Sequence, residues 1–250
     1  MDRIKKYLPF LILLLGILIL ALALFLFKKK SSVTNKNEVI QEETNVEVPF
    51  DERPFTSLVP SKDGHWLKLK VENIKVKKAS SVDYEILYQL PDGRTQGVPG
   101  TIKITEPSFE RDILLGSESS GKYRYDEGVK DGTLTLKFRD DKGKLVGKLS
   151  TNFSLLSGVK ELISKDGKFN YLLDELPKNV YFVVMETFGV SVSPNFELSK
   201  GPYAVFSSVD KKFPGKVSLG SGSLYYLQDN SWVKLNSDSS TNIGVFASGK

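Results

Sequence analysis

The sequence predicts an all-β body, arranged as two β-sandwich domains behind one N-terminal transmembrane α-helix. Three observations carry that prediction. A 21-residue stretch near the start of the 250-residue chain contains no charged residue. Beyond it, apolar and polar residues alternate in short runs, the pattern of strands with one buried face. Turn-forming dipeptides separate those runs at intervals of roughly 8–15 residues, a spacing suited to sandwiches and barrels.

The first element is a six-residue tail carrying Arg3, Lys5 and Lys6. Tyr7 to Phe27 follows, reading YLPFLILLLGILILALALFLF. As a helix it spans roughly 31 Å, which matches a hydrocarbon core of ~30 Å. Pro9 falls in the first turn, where a missing N–H costs little. Tyr7 and Lys28–Lys30 suit the headgroup regions at the two ends. A cleaved signal peptide needs a small-residue site beyond its apolar core, but Ala21 and Ala23 lie inside the run. The segment is therefore expected to remain as a signal anchor through which the chain meets the lipid bilayer. Residues 1–6 are then cytoplasmic and the body extracytoplasmic, at the cell membrane.

Charge is distributed to match. Of 35 basic and 30 acidic residues, residues 1–30 hold six basic and one acidic, leaving 29 of each sign in the rest. The surplus flanks the apolar segment, and the body has no net field to attract nucleic acid. No nucleic-acid partner is expected. Residues 28–53 join this basic flank to an acidic, apolar-poor stretch, read as a disordered linker that lifts the body off the bilayer.

The body begins at residue 54. Tyr84, Ile86, Tyr88 and Leu90 alternate with more polar neighbours, as do Leu134, Leu136 and Phe138. Leu145, Gly147, Leu149, Thr151, Phe153 and Leu155 share one face of a longer run. Between Trp66 and Lys77 the apolar phase shifts, which calls for a bulge or turn near Glu72-Asn73. Val180 to Val184 is apolar throughout and reads as a strand buried on both faces. Ser223 to Leu235 reads as a hairpin, because Asp229-Asn230 suits a type I′ turn.

Ser157-Gly158 is the expected border, giving domains 54–157 and 158–250. Each approaches the ~100 residues of an immunoglobulin-like or fibronectin type III-like sandwich. The resemblance is architectural, since the Cys…Trp…Cys framework is missing. Ser61-Lys62-Asp63-Gly64 is echoed by Ser164-Lys165-Asp166-Gly167, each near the start of its half.

The chain has no Cys and one His, His65. That excludes disulfides, thiolate zinc sites, iron–sulfur clusters, Cys nucleophiles and His-rich metal sites. No metal or organic cofactor is expected. His65 has no GxSxG serine to serve. Asp140-Asp141, and Asp126-Glu127 with Asp131, lack the alternating acids of a calcium loop and read as turn residues. No catalytic residue emerges, and an enzyme is not expected. Tyr123, Tyr125, Tyr225, Tyr226 and Trp232 are candidates for a sugar- or peptide-binding platform. Within a strand, one of Tyr225 and Tyr226 faces inward and the other outward. Tyr225 and Trp232, which flank the tight hairpin, are the favoured ligand contacts. The expected role is binding, adhesion or structure at the cell envelope, with an envelope protein or polysaccharide as partner. An envelope enzyme with dispersed site residues, or an accessory subunit of a membrane complex, is the alternative.

Overall fold

The alternating runs form strands throughout the computed structural model, which describes residues 46–236 and 240–250. The apolar segment Tyr7–Phe27 and most of the acidic linker lie outside those residues. Among the described residues, no helix is long and apolar enough to cross a membrane.

In the first half, β1 (Phe55–Pro60) and β2 (Trp66–Glu72) form a hairpin, and β3 (Ser81–Gln89) pairs with β4 (Thr95–Lys103). β5 (Phe109–Leu114) returns to the free side of β2. β6 (Gly116–Ser119) and β7 (Lys122–Tyr125) make a separate hairpin. β8 (Asp131–Arg139) and β9 (Leu145–Ser157) then extend the sheet begun by β3. In the second half, β10 (Glu161–Ile163) and β11 (Asn170–Leu173) form a hairpin. β12 (Tyr181–Glu186) and β13 (Leu198–Ser207) follow, and β14 (Gly215–Ser218) joins β11. β15 (Ser223–Gln228), β16 (Ser231–Leu235) and β17 (Val245–Gly249) complete the chain.

These strands give an all-β, sandwich-like body built on one large antiparallel sheet, ordered β16-β15-β17-β13-β12-β9-β8-β3-β4. Two three-stranded sheets, β1-β2-β5 and β10-β11-β14, pack on it. The alternation on β12 shows where they pack. Val183 and Met185 join the hydrophobic cluster that holds Leu58, Leu67 and Ile113 of the first small sheet. Phe182 and Val184 join the cluster that holds Leu162, Tyr171 and Leu173 of the second. Successive residues of a strand point to opposite faces. The two small sheets therefore cover opposite faces of the large one, towards opposite ends.

The border expected at Ser157-Gly158 falls between β9 and β10. Each side has its own core, but the large sheet runs across the border through the ladder from Tyr181↔Ser157 to Met185↔Phe153. β1 adds a second link, with the Thr56 amide donating to Thr187 O at 3.1 Å. Composition places residues 46–53 in the spacer, yet they pack on the body. Val48 is 2% exposed within the first core, and Arg53 Nε donates to Val48 O at 2.9 Å. One buried valine, backed by the Lys148 amide donating to Val46 O at 3.0 Å and by the Lys77–Glu52 ion pair, docks a stretch whose average composition is polar.

The phase shift after β2 is made by Asn73, which adopts φ 58°. Asn tolerates this left-handed conformation better than most residues.

Trp66 lies in the first half and Trp232 in the second, so each can report on its own half. Full-length Trp66→Phe and Trp232→Phe variants in detergent are expected to unfold in urea with coincident fluorescence midpoints, because the sheet is shared. Separated midpoints would mean that the halves hold independently.

Candidate functional site

Tyr225 and Trp232 lie diagonally on one face of the β15–β16 hairpin, because Tyr225 pairs with Lys234 and Leu227 with Trp232. The turn between them is left-handed at both central residues, with φ 47° at Asp229 and 61° at Asn230. Phe196 meets both rings. It stacks on Tyr225 at 3.7 Å and meets Trp232 edge-on at 5.6 Å. Trp232 Nε1 donates to Val192 O at 2.9 Å. Tyr226 faces the other way and stacks on Phe246 of the second core at 5.1 Å. The structure therefore brings Tyr225 and Trp232 together through a third ring, and both are half-buried.

More open aromatic rings stand on the β6–β7 hairpin. Tyr123 and Tyr125 are 49% and 39% exposed. They occupy alternate positions on one strand face, with centroids 6.3 Å apart and planes 10° from parallel. His65 continues the row, stacked on Tyr125 at 4.3 Å and 7°. Trp66 meets Tyr123 edge-on at 5.5 Å. The His65 ring also bridges two carboxylates, with Nδ1 3.3 Å from Asp63 Oδ2 and Nε2 3.2 Å from Glu127 Oε1. The sole histidine thus pins the aromatic hairpin to the β1–β2 turn.

That turn occurs twice. Ser61 Oγ donates to Asp63 Oδ1, which also accepts from the His65 amide, and Trp66 N–H donates back to Ser61 Oγ. Ser164, Asp166, Lys168 and Phe169 repeat each of these bonds between β10 and β11. Gly64 and Gly167 supply the left-handed residue at φ 75° and 69°. In each copy the second carboxylate oxygen is left to project: Asp63 Oδ2 reaches His65, and Asp166 Oδ2 accepts from Tyr203 OH at 2.6 Å.

Asp166 lines a polar cleft of about 250 Å³ between the turn at 164–168 and residues 150–152 of β9. Asn152, Lys165, Lys168, Glu186 and Tyr203 share it. Glu186 ends the β12 row that begins with Phe182 and Val184, and it pairs in register with Tyr203. Burial opposes ionisation of Asp166, but donation from Ser164, Tyr203 and the Lys168 amide outweighs it and holds its carboxyl down at about 2. Glu186 is pushed upward, first by burial and then by the Asp166 charge, against weaker pull from Arg53 and Lys168. Sequence reasoning did not single out Glu186 or Tyr203. The repeated Ser-Lys-Asp-Gly was the only signal at this place.

Among the described residues, no group of three His, Asp or Glu side chains converges as a metal site. Asp140 serves its turn, accepting from the Lys142 and Lys144 amides at 3.0 and 2.9 Å. No family model matches this chain, and no curated protein matches it.

Asp166 has an ordinary value of 3.8 and a lower one in the fold. Its ionised form therefore stabilises the fold at neutral pH, and that contribution fades as pH falls from about 4 to about 2. Urea midpoints are expected to drop through this window. Asp166→Asn should flatten the drop, and an unchanged slope would show that Asp166 is not so held.

Proposed function

We propose that the chain is a single-pass, membrane-anchored protein of the cell envelope whose β body binds an envelope polysaccharide through the aromatic hairpin β6–β7. Residues 1–6 face the cytoplasm, Tyr7–Phe27 crosses the bilayer, and the acidic spacer carries the body outward. The charge-free length of that segment and the basic residues at both its ends support this placement. The body works by binding, with adhesion or a structural role as the consequence, and it has no catalytic duty.

One observation carries the binding reading: the near-parallel row of His65, Tyr125 and Tyr123, open to solvent at its tyrosine end. Aromatic faces carry partial negative charge. The C–H bonds on the flat face of a sugar ring are weakly positive and pack against them. Asp63 and Glu127 stand beside the row to accept hydroxyl hydrogens. Because His65 stacks on Tyr125 and sits between Asp63 and Glu127, the row is set before the ligand arrives, which lowers the entropy cost of binding.

The immunoglobulin-like or fibronectin type III-like reading of the first half is supported by its layers, β1-β2-β5 against β4-β3-β8-β9. This split of successive hairpins between two facing sheets is shared by such sandwiches.

Co-sedimentation of the full-length protein with purified polysaccharide from its own envelope tests the proposal. Removing both rings by Tyr123→Ala with Tyr125→Ala should weaken retention at least about tenfold, as the loss of two stacking contacts of about 1 kcal/mol each implies. Tyr225→Ala and Trp232→Ala belong in the same series. Their rings already pack on Phe196, so their loss should read first as reduced stability. Full retention by the folded double variant would defeat the proposal.

A further inference from the structure

The cleft at Asp166 is separate from the aromatic hairpin and holds a half-buried carboxyl, Glu186. In the larger hollow over β3 and β4, about 450 Å³ and lined by Asp83 and Glu85, Asp83 is already engaged. Asp83 accepts from Thr101 Oγ1 at 2.8 Å and from Arg139 Nε at 2.6 Å. In the cleft the charges pair off with one left over. Lys165 is bound to Asp131, and Lys168 lies 3.4 Å from Asp166. Glu186 faces the same space with no side-chain hydrogen bond among the described residues. With Lys165 and Lys168 drawn to other carboxylates, Glu186 is left with only the weaker pull of Arg53 and Lys168.

Glu186 is also held in place by the fold. It is anchored by the β12 residues Val184 and Met185, both fully buried in opposite cores. Its cross-strand neighbour Tyr203 is fixed through the 2.6 Å bond to Asp166. Asn152 of the neighbouring strand β9 also lines the cleft, and its side-chain oxygen is taken up by Thr133 Oγ1 at 2.9 Å, leaving the amide N–H groups as its donors. A half-buried carboxylate that lacks a partner is costly, and a cation that replaces its lost water recovers that cost.

We propose that this cleft binds the primary ammonium group of a small polar ligand, seated on Glu186, with ligand oxygens meeting the Asn152 amide. The volume suits one monosaccharide or one amino acid. An ammonium of this kind is carried by an amino sugar or by an amino acid, and the probes below separate the two. Burial raises the Glu186 carboxyl, and an ammonium seated beside it favours the charged form. The proposal stands apart from the polysaccharide reading, because no ring of the β6–β7 hairpin lines the cleft.

Isothermal titration of the full-length protein in detergent tests it, using glucosamine, L-lysine and N-acetylglucosamine as probes. At least one of the two amines is expected to bind, and N-acetylglucosamine, which has lost the ammonium, at least tenfold more weakly than glucosamine or not at all. Binding of glucosamine alone assigns an amino-sugar ligand, and binding of L-lysine alone an amino-acid ligand. Binding of both shows that the ammonium alone is read. Glu186→Gln should weaken the amine at least tenfold without lowering the urea midpoint and with polysaccharide retention unchanged. Glu186→Asp, which keeps the charge, should recover part of the affinity. The proposal is overturned if neither amine binds, if N-acetylglucosamine binds as well as glucosamine, or if the Gln variant binds normally. It is equally overturned if Glu186→Gln and Glu186→Asp lose binding only by unfolding.

Discussion

The ladder between β9 and β12 is the interaction on which the rest of the body depends. β12 is the place where one strand serves two cores, with Val183 and Met185 on one side and Phe182 and Val184 on the other. All four are fully buried, and each contributes roughly 1.5–3 kcal/mol by leaving water. A strand buried on both faces has no solvent side to fix its register, so register rests on the shapes of both cores together. A slip by one residue would exchange the two sets between cores already filled by other partners. The neighbouring strand is graded in the same way. Phe153 and Leu155 of β9 face the first core, and Leu156 packs on the second.

Both candidate sites descend from the way the two small sheets are fastened. Each sheet begins with the same Ser-Lys-Asp-Gly turn, in which one carboxylate oxygen closes the turn and the other points away from it. In the first copy that oxygen reaches His65 and steadies the aromatic hairpin. In the second it receives Tyr203 and shapes the floor of the cleft. Turn chemistry has thus placed a fixed negative group in each of the two turns. What surrounds it, exposed rings in one case and an open carboxyl in the other, makes the two places chemically different.

Alternation in the sequence reveals strands because it records one buried face, and β3, β8 and β9 are legible for that reason. The double burial of β12 is legible from VYFVV, and the type I′ turn from Asp229-Asn230. Pairing is another matter. Nothing local tells β9 that its neighbour is β12, since that choice is made by cores assembled from distant segments. Phe196 is hidden for the same reason. It lies in an irregular stretch between strands, yet it covers Tyr225 and Trp232 and takes them from free rings to a packed cluster. Glu186 looks like the polar end of an apolar run. It becomes a half-buried carboxyl only when the turn at 164–168 closes over the open face. The acidic spacer misleads at its end, where one valine, Val48, outweighs the average polarity of the stretch.

The central claim is that one sheet joins the halves into a single cooperative body, and native-state hydrogen exchange tests it most directly. Amides of the β9–β12 ladder, between Phe153 and Ser157 and between Tyr181 and Met185, should exchange only through global unfolding, with the same free energy as the most protected amides of β8 and β13. If the ladder amides exchange through a cheaper local opening while β8 and β13 stay protected, the two halves are docked domains and the shared-sheet account is wrong.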